Sequence, residues 1–378
     1  METKIQISAA FDGGNIEVVN SQNIDDIQLK IRKDNASEFR QWFYFRISGI
    51  AGQECRIRIV NAHECAYAKG WEDYDALFSS DRIFWSRAAT DYLEGELQII
   101  LQGTQNSVYV AMFEPYSMER HADFVAFAQH QDQAQLISLG KSLQGLDMDL
   151  IKVGEEDKTK KVCWVVARQH PGETMAEWWV EGFVERLLDQ NDAVSRLLLE
   201  RMVFYIVPNM NPDGSRLGNH RTNAAGVNLN RAWLQADMKT CPEVFLVRGM
   251  MHKTGVDICF DVHGDEALPY NFVNSAQGVA SWDDHRSRLL SNFVNSLAAI
   301  NPDFQTEYGY PVTPKGKANL AMCTNYVAEN FGCLAMTHEM PYKDTANLND
   351  FDYGWTAERS KLLGASNLSA LYQVIDQI

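Results

Sequence analysis

The sequence predicts an α/β protein in two parts, an all-β antiparallel sandwich followed by a mixed, largely parallel central sheet flanked by helices. In the first third, short apolar or alternating runs are separated by turn residues, with no amphipathic helix among them, which is typical of an antiparallel sandwich. After Tyr116, helical patterns alternate with short, fully apolar runs, which is typical of parallel strands covered on both faces. The predicted domains are residues 1–115 and 116–378.

Eight short runs in the first part have the length and composition of strands. Turn residues such as Asp12-Gly13-Gly14 separate them. A cluster of aromatic residues, Tyr67, Trp71 and Tyr74, is interpreted as packing within a loop in preference to lining a binding surface. The predicted strands are Ile5–Phe11, Asn15–Asn20, Ile27–Ile31, Trp42–Ser48, Cys55–Val60, Ile83–Arg87, Gly95–Leu101 and Ser107–Phe113.

The second part alternates helical and strand patterns. Apolar residues recur at helical spacing in five segments, and four short apolar runs lie between them. The predicted helices are Ser117–Gln129, Thr174–Leu188, Pro242–His252, Asp283–Ala299 and Thr356–Ile375. The predicted strands are Val162–Ala167, Met202–Val207, Asp257–Val262 and Cys333–Thr337.

Composition excludes several classes of function. The formal charge of −16 argues against a nucleic-acid partner, because binding to phosphates requires a basic surface. We find no secretory signal pattern and no apolar run of the roughly 18 residues that span a bilayer, so no membrane association is expected. Seven cysteines without a CxxC pair indicate free thiols in a reducing compartment, and a cytoplasmic location is predicted. The oligomeric state is not indicated.

Two histidines and one glutamate lie where predicted strands end. His170 and Glu173 follow the run Val162–Ala167, and His263 follows Asp257–Val262. An HxxE pair alone is weak evidence, but strand ends of an open α/β sheet meet at one edge, where ligands bind. Two histidines and a glutamate with an open fourth position form a catalytic zinc set. The sequence therefore predicts one Zn²⁺ ion at this edge.

Further polar residues extend this candidate site. A turn-rich loop over residues 208–233 carries Arg221 and Arg231, whose guanidinium groups suit carboxylate recognition and stabilisation of a developing oxyanion. Glu339 follows the apolar run that ends at Thr337, where desolvation raises the pKa of a carboxyl group and suits a general base. His338 points to the opposite face of an extended segment, so we interpret it as a packing or hydrogen-bonding residue.

Together these segments resemble the zinc carboxypeptidase family, and most closely its cytosolic carboxypeptidase branch. HPGE, NPDG, GNHR, GVNLNRAW, DVHG and HEMPY occur in the family's order over roughly residues 111–378, and PYSMERH is also typical of the branch. A β-sandwich ahead of the catalytic domain is a further feature of that branch, in agreement with the predicted strands.

The resemblance implies a role for each residue of the site. His170, Glu173 and His263 would be the zinc ligands, and Glu339 the general base and then the acid to the leaving amine. Arg221 would polarise the scissile carbonyl. Asn230 and Arg231 would hold the substrate's terminal carboxylate. The implied substrate is the C-terminus of a peptide or protein, cleaved at a peptide or isopeptide bond.

Two departures and two alternatives accompany this resemblance. Asn228 stands where much of the family has an aspartate beside a ligand histidine, which makes the imidazole less basic. The substrate-closing tyrosine of digestive carboxypeptidases has no clear match. The alternative functions are a zinc amidohydrolase of the aspartoacylase type, which shares the HxxE and histidine metal set, and a catalytically silent zinc protein whose sandwich binds a partner.

Overall fold

The computed structural model describes residues 4–378, and its first part consists of short strands. Between residues 4 and 113, ten strands form two five-stranded sheets, ordered β1-β4-β10-β6-β7 and β2-β3-β5-β9-β8. The strands are β1 (Gln6–Ser8), β2 (Glu17–Asn20), β3 (Ile27–Lys30), β4 (Tyr44–Ser48), β5 (Glu54–Ile59), β6 (Leu77–Ser79), β7 (Ser86–Arg87), β8 (Thr90–Leu93), β9 (Glu96–Gln102) and β10 (Ser107–Ala111).

Alternating side chains build the core of this sandwich. In β3 and β5, Ile27, Leu29, Ile57 and Ile59 are fully buried, while the residues between them are at least partly exposed. Because every second residue is buried, one face of each sheet points inward, as the packing of two sheets against each other requires. The strand pairs are antiparallel except for β3 and β5, which run parallel. The predicted fold class is confirmed, with this one parallel pair as an addition.

One predicted strand of the sandwich is wrong over most of its length. Within the predicted Ile83–Arg87, only the last two residues form a strand. Ile83 and Phe84 are largely exposed, because Asp81 Oδ1 accepts hydrogen bonds from both of their backbone N–H groups, at 2.8 and 2.9 Å, and so closes a turn. The flanking strands β6 and β8 were not predicted.

The second part contains one mixed sheet. Its seven strands have the order β11-β12-β14-β13-β15-β17-β16, and the four strands from β14 to β17 in this order are parallel. The outer pairings are antiparallel. The strands are β11 (Ala134–Lys141), β12 (Asp147–Val153), β13 (Lys161–Ala167), β14 (Met202–Val207), β15 (Ile258–Asp265), β16 (Phe272–Ser275) and β17 (Leu334–Pro341).

Helices cover both faces of this sheet. His338 of β17 lies against Trp179 and Phe293 on one face, whereas its neighbour Thr337 hydrogen-bonds Thr324 on the other. Trp179 belongs to α2, Phe293 to α6 and Thr324 to α7. The helices are α1 (Met118–Gln129), α2 (Met175–Leu187), α3 (Ala193–Arg201), α4 (Pro212–Leu217), α5 (Pro242–Thr254), α6 (Asp284–Ile300), α7 (Cys323–Phe331) and α8 (Ala357–Val374).

Helices α2 and α8 pack unusually closely, because each has a glycine at the contact. A Cβ atom on Gly182 would lie 2.1 Å from the Lys361 carbonyl oxygen, and one on Gly364 would lie 2.0 Å from that of Trp179. Neither position therefore accepts a larger side chain without moving a helix. This pair holds α2, whose N-terminus follows Glu173, firmly on the sheet.

Two predictions about the strand ends need correction. His263 and Glu339 do not follow their strands but lie inside β15 and β17, because the ladder between the two strands continues to Asp265 and Pro341. The predicted long loop after β14 contains α4. Asn211 caps this helix through its side chain, with a proline next to it at the first helical position, so that the Asn-Pro pair starts a helix instead of a turn.

Among residues 4–378, the structure has no helix that combines the length and the apolar character needed to cross a membrane.

Candidate active site

Three side chains at the C-terminal edge of the parallel strands form a compact group. Ligand atoms of His170, Glu173 and His263 all lie within 4.8 Å of one another, and the three side chains are buried. Glu173 Oε1 is 2.7 Å from His170 Nδ1, and Oε2 is 2.7 Å from His263 Nδ1. The two Nδ1 atoms are 3.2 Å apart. Two imidazole nitrogens and a carboxylate converging on one point are a donor set that suits Zn²⁺.

The opposite nitrogens of both rings are occupied by other partners. His170 Nε2 donates to Asn228 Oδ1 at 3.1 Å, and His263 Nε2 donates to Asp261 Oδ1 at 2.9 Å. These bonds fix the tautomer in which Nδ1 carries a lone pair. Asp261 was not among the predicted residues. Asp261 lies two residues before His263 in the same strand, so both side chains point to the same face, and this spacing could have indicated Asp261 as a partner of His263.

Electrostatic effects on the two rings differ. Burial, assisted by the nearby Arg221 charge, lowers the pKa of His170 to about 4, which keeps this ring neutral. Burial also opposes protonation of His263, but Asp261 and Glu173 outweigh it and raise the pKa of that ring. The same negative charges favour a bound cation beside His263.

The loop between His170 and Glu173 is held in place by its surroundings. Arg168 adopts a left-handed backbone (φ 56°), and its guanidinium bonds the carbonyl of Pro171 at 2.9 Å. Gly172 donates its N–H to the His220 carbonyl at 2.9 Å. A Cβ atom at Gly172 would lie 2.5 Å from His220 Nδ1, so this close approach requires glycine.

Glu339 lies beside the candidate metal ligands with an unpaired oxygen. It is the Cα partner of His263 in the ladder between β15 and β17. Its side chain is buried, and Oε2 has no hydrogen-bond partner within residues 4–378. Burial raises the pKa of Glu339 well above its ordinary value, against the attraction of His263 and with repulsion from Glu173. A buried carboxylate with a free oxygen is equipped to exchange a proton with a bound molecule.

The predicted arginines differ in their contacts. Arg221 Nη1 is 3.7 Å from Glu173 Oε1, and its Nε has no partner in the described chain. Arg231 is exposed, and Nη1 donates to the carbonyl of Asn230 at 2.6 Å. The Asn230 oxygen accepts from Cys323 N–H at 2.9 Å, and the amide nitrogen lies 3.3 Å from His263 Nε2.

Several other residues were interpreted from the sequence, among them His338 and the aromatic cluster Tyr67, Trp71 and Tyr74. Neither ring nitrogen of His338 has a partner within residues 4–378, and burial lowers its pKa to about 3, so its interpretation as a packing residue is confirmed. Tyr310 donates its hydroxyl to Asp265 Oδ2. Trp71 and Tyr74 are buried as expected. The ring of Tyr67 contacts the Arg221 guanidinium, on the loop of residues 218–233 that we call the arginine loop, and the sequence did not indicate this contact.

Comparison with known proteins finds two family models that match this chain. A family model described as the cytosolic carboxypeptidase N-terminal domain matches residues 7–113, and one described as zinc carboxypeptidase matches residues 122–363. The second match alone covers more than half of the chain.

The chain belongs to the zinc carboxypeptidase family.

Two of the similar solved structures are of bacterial proteins described as carboxypeptidases. One described as a putative carboxypeptidase A from Shewanella denitrificans is 49% identical, with a TM-score of 0.97 over 98% of this chain and 99% of the other. A metallo-carboxypeptidase from Pseudomonas aeruginosa, in complex with (2-guanidinoethylmercapto)succinic acid, is 41% identical, with a TM-score of 0.96 over 98% of this chain and 99% of the other. Mouse cytosolic carboxypeptidase 6 is 26% identical over 79% of this chain, which spans 60% of that protein's length.

These comparisons confirm three of the predictions. The family with its cytosolic carboxypeptidase branch, the fold class and the class of enzyme, a peptidase, agree with the sequence-based expectations. The individual site residues and the domain boundary at residue 116 stay predictions.

Proposed function

We propose that this chain binds one Zn²⁺ ion through His170, Glu173 and His263 and removes the C-terminal residue of a peptide or protein tail by hydrolysis. The observation that supports this best is the convergence of these three ligands beside the unpaired carboxylate oxygen of Glu339. Three protein ligands leave a fourth position for water or substrate, as in catalytic zinc sites. A bound zinc ion lowers the pKa of water and polarises a carbonyl.

Glu339 is assigned the proton transfers. It takes a proton from the attacking water and delivers it to the nitrogen of the departing amino acid. Its burial supports this assignment, because a raised pKa allows a carboxyl group both to accept and to release a proton near neutral pH. The pairing of Glu339 with His263 in the ladder supports this assignment, because a base has to lie close to the proposed metal ligands.

The two arginines are assigned separate anionic groups of the substrate. Arg221, which lies 3.7 Å from Glu173, stabilises the oxyanion that forms on the scissile carbonyl. Arg231 and the Asn230 amide hold the terminal carboxylate. Arg231 is an exposed residue, and its guanidinium has further N–H donors besides the one bonded to the Asn230 carbonyl, which suit a carboxylate. A requirement for a free C-terminus follows from this assignment.

The finer features of the function are also proposed. The substrate is a peptide or isopeptide at a protein C-terminus, and the protein works in the cytoplasm without a nucleic-acid or membrane partner. We assign the sandwich to residues 1–115 and the catalytic domain to 116–378. The acidic net charge of −16 supports the absence of a nucleic-acid partner.

Three matched substrates test the proposed reaction. A peptide with a free C-terminus, its C-terminal amide and an N-acetyl amino acid are incubated with the zinc-loaded protein, and products are identified by mass spectrometry. We expect loss of one residue from the free peptide only. Cleavage of the amide, or of the N-acetyl amino acid alone, indicates an amidohydrolase instead. No cleavage across a library of C-terminal residues indicates a catalytically silent protein.

The ligand of the Pseudomonas aeruginosa relative provides a second test. (2-Guanidinoethylmercapto)succinic acid carries two carboxylates, and we propose that Arg231 binds one of them here. The compound is expected to inhibit peptide cleavage, and Arg231→Gln to weaken this inhibition by about tenfold or more, as loss of a charged hydrogen bond implies. Arg216→Gln is the matched control, because Arg216 lies in α4 and its guanidinium donates to Gln144 Oε1. Equal inhibition of both variants contradicts the assignment of Arg231.

A further inference from the structure

The loop that carries Arg221 is held by a carboxylate of the sandwich. Asp34 lies between β3 and β4 and is buried. Its Oδ1 accepts the N–H of His220 at 2.7 Å, and its Oδ2 accepts those of Arg221 at 2.7 Å and Thr222 at 2.9 Å. The Thr222 hydroxyl adds a fourth bond at 3.2 Å. Three consecutive backbone amides of the catalytic domain therefore converge on one side chain of the other domain.

A second residue of the sandwich contacts the guanidinium group itself. The Arg221 Cζ atom lies 5.2 Å from the centroid of the Tyr67 ring, within the range of a cation–π interaction. Tyr67 is itself fixed, because its backbone N–H and carbonyl both bond the side chain of the fully buried Gln41, at 3.0 and 3.3 Å. The backbone and the end of the Arg221 side chain are thus restrained from the same domain.

The contact extends from the sandwich to the metal loop. His220, whose N–H is bonded to Asp34, accepts the N–H of Gly172 through its carbonyl at 2.9 Å. Gly172 lies between the proposed ligands His170 and Glu173. The backbone of His220 therefore links the sandwich carboxylate to the loop that carries two of the proposed metal ligands.

We infer that Asp34 and Tyr67 are positioning residues for Arg221, so that the sandwich completes the catalytic centre. This inference rests on the proposed function, in which Arg221 stabilises the developing oxyanion. Such stabilisation depends on donors that are already in place, and a displacement of about 1 Å can cost on the order of 10²-fold in rate. Neither residue needs to touch the substrate, since both act through the position of Arg221.

A double-mutant cycle separates positioning from general stabilisation. In Asp34→Asn, an NH₂ group replaces one of the two accepting oxygens and faces backbone N–H groups, at nearly constant volume. With the zinc-loaded full chain, we expect kcat to fall at least tenfold and KM to change less than threefold. In an Arg221→Gln background, Asp34→Asn should cause no further loss, because the group it positions is already gone. A loss that multiplies with that of Arg221→Gln overturns the inference, as does an unchanged kcat.

Substitutions of Tyr67 provide a second arm that does not depend on folding of the Asp34 variant. Tyr67→Phe retains the ring and is expected to keep kcat within threefold of the wild type. Tyr67→Leu removes the ring and should lower kcat about tenfold, again with no further effect in the Arg221→Gln background. Equal kcat values for the Phe and Leu variants contradict the assigned contact with the ring.

A matched control removes a different contact between the two domains. Arg87 of the sandwich donates to the carbonyls of Tyr353 and Trp355, at 3.0 and 2.9 Å, and does not contact the arginine loop. Arg87→Gln is expected to leave kcat unchanged. A loss of kcat equal to that of Asp34→Asn indicates a general effect of loosening the domain contact and overturns the inference.

Hydrogen exchange distinguishes failure of this inference from failure of the proposed function. If the wild type cleaves no peptide, the proposed function is wrong, and exchange of residues 216–226 then decides the inference. Asp34→Asn should accelerate exchange in this segment and in residues 169–174 by at least tenfold, whereas Arg87→Gln should not. Unchanged exchange in Asp34→Asn overturns the inference in either case.

Discussion

At the scale of single residues, Glu339 has the environment that the proposed chemistry requires. Its Oε2 is buried and unpaired, so replacement by glutamine changes the proton affinity with little change in volume. We expect Glu339→Gln to lower kcat on the order of 10²- to 10⁴-fold, as the loss of a general base does. The zinc content, measured by elemental analysis, should stay at the wild-type level. Turnover at the wild-type rate would show that another group takes the proton.

The partners of the two histidines predict opposite changes in metal affinity. His263 has a carboxylate partner in Asp261, whereas His170 has the neutral amide of Asn228. Asp261→Asn should weaken zinc binding about 10- to 100-fold, the usual effect of losing such a partner. Asn228→Asp should strengthen it, because a carboxylate makes the imidazole of His170 more basic. Affinities come from competition with a chelator at fixed pH, and equal affinities in all three proteins would contradict the prediction.

At the scale of elements, a buried histidine connects α1, α2 and β12. His121 Nδ1 bonds Glu177 Oε1 at 2.5 Å, and Nε2 bonds Asp149 Oδ2 at 3.1 Å. Burial opposes the charge on His121, but the two carboxylates outweigh it and raise its pKa from 6.5 to about 9. The ion pairs therefore stabilise the folded state fully below pH 6.5, and this contribution is lost as the pH rises through about 9.

This shift predicts a pH-dependent difference in stability. The free energy of unfolding of the wild type, relative to His121→Gln, should decrease by up to about 3 kcal/mol between pH 6 and pH 10. Denaturant unfolding of the zinc-loaded proteins measures it. The exposed His130, at the end of the same helix, supplies the control His130→Gln. A constant difference between His121→Gln and the wild type would show that the histidine is not charged in the fold.

The strands that carry the site were predictable, and the contacts between domains were not. His263 and Glu339 each follow a run of apolar residues, so their position at the edge of a buried sheet could be predicted from the local pattern. Asp34 lies 186 residues from His220 in the sequence, and no periodicity marks it. Helix α4 was predicted as part of the turn-rich loop, because an Asn-Pro pair can begin either a helix or a turn.

At the scale of the whole molecule, the metal should contribute to stability. A ligand that binds only the folded state raises stability by about 4 kcal/mol at 1,000 times its Kd. Zinc should therefore raise the thermal unfolding midpoint of chelator-treated protein, with two buried histidines and a glutamate as its ligands. His263→Ala should show no such response. A midpoint that rises equally in this variant would place the stabilising ion elsewhere.

The proposed metal centre is tested by titrating the metal-free protein with zinc and measuring the rate at which it releases the C-terminal residue of a peptide. We expect no release without zinc, then a linear rise in rate and a plateau at one equivalent, because one group of three ligands holds the ion. His170→Ala and His263→Ala should show no rise at one equivalent. Full activity in the metal-free protein, or a wild-type response in either variant, would contradict the proposed metal centre.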